Sequence, residues 1–248
     1  MVKGLDTFQK YFADYEEQYV LIGGAACDIL FESNEVNFRA TRDLDMVLIV
    51  EALTPEFGEK FWEFIVDGKY RNKATNGSNP QFYRFDKPED DEFPKMIELF
   101  CRSDFKLKNA KGITPIHIDD EVSSLSAILL NDDYYKALLN GKEVRNGLSV
   151  LRPEYIILFK AKAYLDLQKR KDSGKKVDSS DIKKHKKDVL RIASELMLEK
   201  VEELPIAVDA DIHSFIDLLE QEPFDQNSLK RYGLKNENVV ELLKRVFG

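Results

Sequence analysis

The chain has 248 residues, 43% of them hydrophobic, with 16 Phe and 10 Tyr, which is enough apolar surface for one large domain or two modest ones and excludes disorder as the main state. Eight prolines and twelve glycines exclude collagen-like and low-complexity classes, and two cysteines (Cys27 and Cys101) with three scattered histidines exclude a disulfide scaffold or a four-thiolate zinc site. A net charge of −8 and a pI near 5.1 argue against a protein that coats nucleic acid nonspecifically.

The first residues, MVKGLDTFQKYF, interrupt their apolar positions with charge and do not form a secretory signal. No window approaches the roughly 18 uninterrupted apolar residues of a membrane span. The expected setting is therefore soluble and cytoplasmic, with no membrane partner and both cysteines acting as small core hydrophobes.

Tyr19 to Ile22 is a β-prone run ending in Gly23-Gly24, and Ala25 to Phe31 then reads as a short helix. Ser33 to Arg39 is polar and predicts a loop. Asp43 to Val50 is a strand candidate, after which Thr54-Pro55 opens a helix to about Val66, with Phe57, Phe61, Phe64 and Ile65 at helical spacing. Gln81 to Phe85 and Met96 to Cys101 predict further strands, separated by an acidic turn with Pro88 and Pro94. Strands alternating with helices predict an α/β or α+β core with a mixed sheet.

From Pro153 the pattern is helical: Glu154 to Arg170, Asp181 to about Val201, Ile212 to Glu220 and Asn236 to Phe247. Lys171 to Ser180 is polar, contains Gly174 and predicts an exposed loop. The boundary is placed near residue 150, giving domains 1–150 and 151–248. Between Lys160 and Arg191 twelve basic residues face five acids, a local charge of +7 on an otherwise acidic chain. Such a segment is either a polyanion contact or a solvated helical face.

The informative stretch is Arg39-Ala40-Thr41-Arg42-Asp43-Leu44-Asp45. In a strand, side chains at i and i+2 leave the same face, so Asp43 and Asp45 project together while Leu44 points inward. Two such carboxylates repel, and a hard divalent cation offsets the repulsion; Mg²⁺ takes a few carboxylates and completes its shell with water and substrate phosphates. Glu98, enclosed in Met96-Ile97-Glu98-Leu99-Phe100, is the candidate third acid, provided that its face carries Asp43 and Asp45. Gly23 and Gly24, between a strand and a helix, let backbone N–H groups approach an anion. Either feature alone is weak. The order strand, Gly-Gly, helix, Asp-x-Asp strand is more specific.

These residues resemble the polymerase-β type nucleotidyltransferase superfamily, whose signature is a hydrophobic-Gly-[Gly/Ser] turn, an Asp-x-[Asp/Glu] and a distal acid on a neighbouring strand. Within it, Arg39-x-Thr41-x-Asp43-Leu44-Asp45 resembles the AbiEii/AbiGii toxin family, as does Lys160-Ala161-Lys162-Ala163 followed by a basic loop and Asp178-Ser179-Ser180-Asp181-Ile182. The likeness spans roughly residues 19 to 195. Gly24 stands where many relatives have Ser, and Glu98 where Asp is common.

The resemblance implies a nucleotidyltransferase-type α/β (α+β) domain with a mixed sheet and a C-terminal helical domain that covers the nucleotide. It implies transfer of a nucleoside monophosphate from an NTP such as ATP to an acceptor hydroxyl, on tRNA or a protein. Asp43, Asp45 and Glu98 would be catalytic and hold Mg²⁺, while Gly23, Gly24, Arg39, Thr41, Arg42, Lys160 and Asp181 would bind the nucleotide. The toxin of a toxin–antitoxin or phage-defence pair, with an antitoxin partner, is the implied biological role. An antibiotic-modifying nucleotidyltransferase shares the core, and an inactive relative that binds RNA or protein is the rival class.

Several of these residues carry a bland reading beside the functional one. Lys160 falls in the apolar stripe of Ile156, Phe159, Ala163 and Leu167, where it either snorkels or reaches a phosphate. Lys162 lies off that stripe, with Asp166 as an i+4 partner, and reads as a surface charge. Asp181 is either a first-turn acid, capped by Asp178 or Ser179, or orders Lys160 or the nucleotide. His185 reads as a packed core histidine, and Arg39 and Arg42 either contact phosphate or neutralise the acidic strand.

Overall fold

The structure, a computed structural model, describes residues 3–32, 43–72, 82–101, 128–129 and 131–248. The chain divides into two compact units. One takes in the described residues up to Cys101 and returns for Lys142–Leu151; the other takes in those from 128 to Gly141 and Arg152–Gly248.

In chain order the first unit contains α1 (Leu5–Phe12), β1 (Tyr19–Ile22), α2 (Gly23–Glu32), β2 (Asp43–Leu48), α3 (Pro55–Asp67), β3 (Arg71–Asn72), β4 (Phe82–Asp86), β5 (Met96–Cys101), β6 (Lys142–Arg145) and β7 (Leu148–Leu151). Its seven described strands form one mixed sheet in the order β3-β4-β5-β2-β1-β7-β6. β2 runs parallel to β5 and β1 parallel to β7, while the β1–β2, β3–β4, β4–β5 and β6–β7 pairs are antiparallel. The expected mixed α/β core is thus the one observed.

Burial explains why the sheet has two unlike faces. Phe8 and Phe12 of α1 and Phe57, Phe61 and Phe64 of α3 are fully buried, spaced at helical intervals. Phe8 meets the ring of Tyr19 on β1 at 5.5 Å, and Phe61 meets Phe85 on β4 at 5.5 Å. The two helices also meet each other, Phe8 against Phe64 at 5.7 Å. Each such aromatic pair adds about 0.5–1.5 kcal/mol beyond its buried area. Thr54 caps α3 by accepting from the Phe57 amide, with Pro55 at the first helical position.

The second unit is helical: α4 (Asp132–Asn140), α5 (Pro153–Asp172), α6 (Ser179–Glu195), α7 (Ile206–Gln221), α8 (Gln226–Arg231) and α9 (Asn236–Phe247). Tyr164 of α5 packs edge-on against Phe215 of α7 at 5.5 Å, and Tyr134 of α4 against Phe159 of α5 at 5.4 Å. α6 stops at Glu195, six residues short of the periodicity, because tertiary partners take the next amides. The buried Glu154 carboxylate accepts from the Glu199 N–H at 2.6 Å, and Val201 donates to the Val246 carbonyl at 2.9 Å. α7 starts at Ile206, ahead of the expected Ile212, directly after Pro205.

Candidate active site

The site is built on the sheet face opposite the aromatic layer. Residues paired across adjacent strands share a face, and Tyr19 and Phe85 lie on the aromatic side with Leu48 and Ile97. Asp43, Asp45, Glu98 and Arg84 therefore fall on the other side, with Asp45 opposite Glu98 and Glu98 opposite Arg84. Leu44, between the two aspartates, is fully buried, whereas Asp43 and Asp45 are half-buried. The condition placed on Glu98 by the sequence is met: its rung is that of Asp45.

On the other flank of β2, Ile22 pairs with Asp45, so the glycine turn begins beside that carboxylate. Helix α2 opens at Gly23 itself, ahead of the expected Ala25, which makes Gly23 and Gly24 its first turn. Gly23 has a φ of +62°, and a methyl group placed on it would lie 2.1 Å from Asp45 Oδ2. Both the backbone twist and the close approach require glycine. The carboxylate thus rests on the Cα of a residue whose helix presents N–H groups without intrahelical acceptors.

Glu98 is buried, and its charge is matched by a residue the sequence reading missed. Arg84 donates from Nε to Glu98 Oε1 at 2.8 Å and from Nη2 to the same oxygen. Burial pushes the Glu98 carboxyl above the usual range; the Arg84 guanidinium and a hydrogen bond with Asp45 pull it back, while the charge of Asp43 adds to the rise. The sequence shows Arg84 only as a charge between Tyr83 and Phe85 on a strand; its pairing opposite Glu98 is what gives it a role.

Among the described residues no group of three or more His, Cys, Asp or Glu side chains is arranged to hold a metal ion. Two hard carboxylates on one face, both partly open to solvent, suit a cation such as Mg²⁺ that draws its remaining ligands from water and phosphate. Glu98, engaged by Arg84, stands behind that pair.

No family model and no curated protein matches the chain. Among solved structures it is similar to the crystal structure of an antigenic nucleotidyltransferase-like protein from Paracoccidioides brasiliensis, with 13% identity and a TM-score of 0.43 over 97% of this chain and 93% of that one. Among the described residues no helix is long and apolar enough to cross a membrane.

Arg39, Thr41 and Arg42, with the loop expected over Ser33 to Arg39, lie outside the described residues. In the helical unit, Lys160 is 14% exposed and sits 3.0 Å from the carboxylate of Asp188, itself 11% exposed. In the sequence Asp188 counts only as a charge; its spacing from His185 and Ile192 places it on the buried face of α6. Asp181 lies in the first turn of α6, where Asp178 is the cap and accepts from the Ser180 amide at 2.8 Å. His185 is buried among that helix's apolar residues, and Cys27 is buried in α2.

Lys162 corrects the reading as a mere surface charge. It pairs with Asp166 and Asp211, each at 3.1 Å, and Asp211 also accepts from the Tyr134 hydroxyl at 3.0 Å. Burial opposes its charge, but the two carboxylates outweigh it and raise its pKa.

Proposed function

We propose that the chain is a Mg²⁺-dependent nucleotidyltransferase that moves a nucleoside monophosphate from an NTP to an acceptor hydroxyl. The observation that carries this reading is the seating of Asp45 on Gly23, on the same face as Asp43 and at the same rung as Glu98. It brings carboxylates able to hold a hard cation beside first-turn amides able to receive phosphate. Asp43 and Asp45 hold the ion, and the amides of Gly23 and Gly24 donate to phosphate oxygens. Bound Mg²⁺ would neutralise charge on the phosphates as the nucleoside monophosphate transfers and pyrophosphate leaves. Glu98, fixed by Arg84, takes the proton of the acceptor hydroxyl as its oxygen bonds to the α-phosphorus and pyrophosphate leaves. Arg39, Thr41 and Arg42 add nucleotide contacts.

The likeness to the AbiEii/AbiGii family supports a toxin role with tRNA as acceptor. Growth arrest on expression, relieved by Asp43→Asn/Asp45→Asn, is the expected result, and harmless expression would remove the toxin role without touching the chemistry. The chemistry itself is tested by NTP-dependent labelling of total tRNA, total protein and aminoglycosides. Labelling that survives the double substitution would sink it.

The Arg84–Glu98 pair favours a second reading, since a guanidinium already supplies the positive charge that a cation would bring to Glu98. Under it the chain is a non-catalytic module that binds RNA or protein. Calorimetry separates the two: the enzyme binds NTP only with Mg²⁺, the module binds none.

A further inference from the structure

Seven of the twelve cations between Lys160 and Arg191 fall into two groups. Lys160, Lys162 and Arg191 are matched internally by Asp188, by Asp166 with Asp211, and by Glu195. The other group lines a cleft of about 540 Å³ in the helical unit, between the C-terminal half of α5, the N-terminal half of α6 and the segment Glu222–Asp225. Lys171, Lys183, Lys186 and Lys187 face it, against two acids, Glu222 and Asp225. Asp225 is committed to capping α8 through Ser228, and Glu222 interacts with the Tyr164 hydroxyl.

Lys186 shows how the cleft is built. Its ammonium donates to the Glu222 carbonyl and lies 5.7 Å from the ring centroid of Tyr164 and 5.6 Å from that of Phe224. Both rings are buried, so they hold the lysine and are not open to a stacking base. Burial pushes the Lys186 pKa down, with the charge of Glu222 opposing. An anion in the cleft relieves that cost. Lys183, Lys187 and Lys171 are exposed at the rim and form no close ion pair among the described residues, although the charge of Lys187 acts on Asp225.

We propose that this cleft binds the phosphate backbone of single-stranded nucleic acid. A polymer is favoured over a small phosphorylated ligand because the basic run does not end at the cleft: Lys169, Lys175 and Lys176 continue it, all exposed. Single-strand sites combine a cationic groove that tracks successive phosphates with rings on which bases stack; here the rings are buried, so the contact is to the backbone alone and tolerant of sequence. The site stands apart from the transfer reaction proposed above and needs neither metal nor nucleotide.

The test is fluorescence anisotropy of a labelled oligouridylate of about 12 nucleotides, in EDTA and without NTP, from about 50 to 200 mM salt. Lys183→Gln/Lys187→Gln should weaken binding about tenfold and flatten the slope of log K against log salt by about 1.4, at ~0.7 for each phosphate that a lysine no longer neutralises. Lys136→Gln/Lys230→Gln removes the same charge from exposed positions elsewhere in the unit and should change neither. Equal weakening by both doubles, no binding to the wild type at the lowest salt, or displacement by tripolyphosphate at matched phosphate concentration would each overturn the proposal. Because the assay contains no metal, loss of labelling in the aspartate variants leaves its outcome unaffected.

Discussion

A carboxylate lying on a glycine leaves no room for substitution. With Asp45 Oδ2 only 2.1 Å from where a Gly23 side chain would begin, and φ at +62°, Gly23→Ala must both strain the turn and push Asp45 off its rung. The expected cost is about 1–3 kcal/mol in urea denaturation, with Mg²⁺ binding by calorimetry lost as well. A second residue-scale expectation concerns pH. Glu98 and Glu154 both titrate above the usual carboxylate range, chiefly because they are buried. The folded state then keeps protons that the unfolded chain has released. The associated stability is complete below the ordinary carboxylate pKa and is lost as pH rises through the raised values. Urea midpoints measured from about pH 4 to 7 should fall with pH in the wild type and less steeply in Glu98→Gln, with the Glu154 share remaining. At this scale the acids and the glycine turn were legible because alternation and Gly-Gly are local signals. Arg84 was not, because its importance comes from a strand pairing that juxtaposes two isolated charges.

Elements with strong internal periodicity, such as α3, α5 and α9, matched their expected spans closely. The β6–β7 hairpin went unread although Asn146-Gly147 marks it: both residues have positive φ, 50° and 69°, as a two-residue type I′ turn requires. The charges that rule out a leader in the first residues also mark the outer face of helix α1, whose buried stripe is Leu5, Phe8 and Phe12. The α5–α6 packing carries its own prediction. Lys160→Met removes one partner of the buried Lys160–Asp188 ion pair and should cost up to about 3–5 kcal/mol in denaturation, whereas Lys160→Met/Asp188→Leu should recover most of that loss. A purely nucleotide-binding Lys160 would show no such rescue.

At the largest scale, two cores and two charge characters coexist: an aromatic-backed sheet with an acidic face, and a helical unit holding all twelve basic residues between Lys160 and Arg191. A ligand that binds only the folded state stabilises it by about 2.7 kcal/mol at a hundredfold excess over its dissociation constant. Mg²⁺ with NTP should therefore raise the melting temperature of the wild type, and Asp43→Asn/Asp45→Asn should abolish the shift. A second consequence follows from the parallel pairing of β1 with β7. All four residues of β1 are fully or almost fully buried, yet the neighbour on one of its edges comes from Leu148–Leu151. During synthesis the sheet's central strands emerge long before that neighbour, so a ribosome-bound chain spends over a hundred residues of elongation with an apolar, ladder-ready margin exposed. Fragments ending between Cys101 and Lys142 should aggregate, even though they contain every acid of the site.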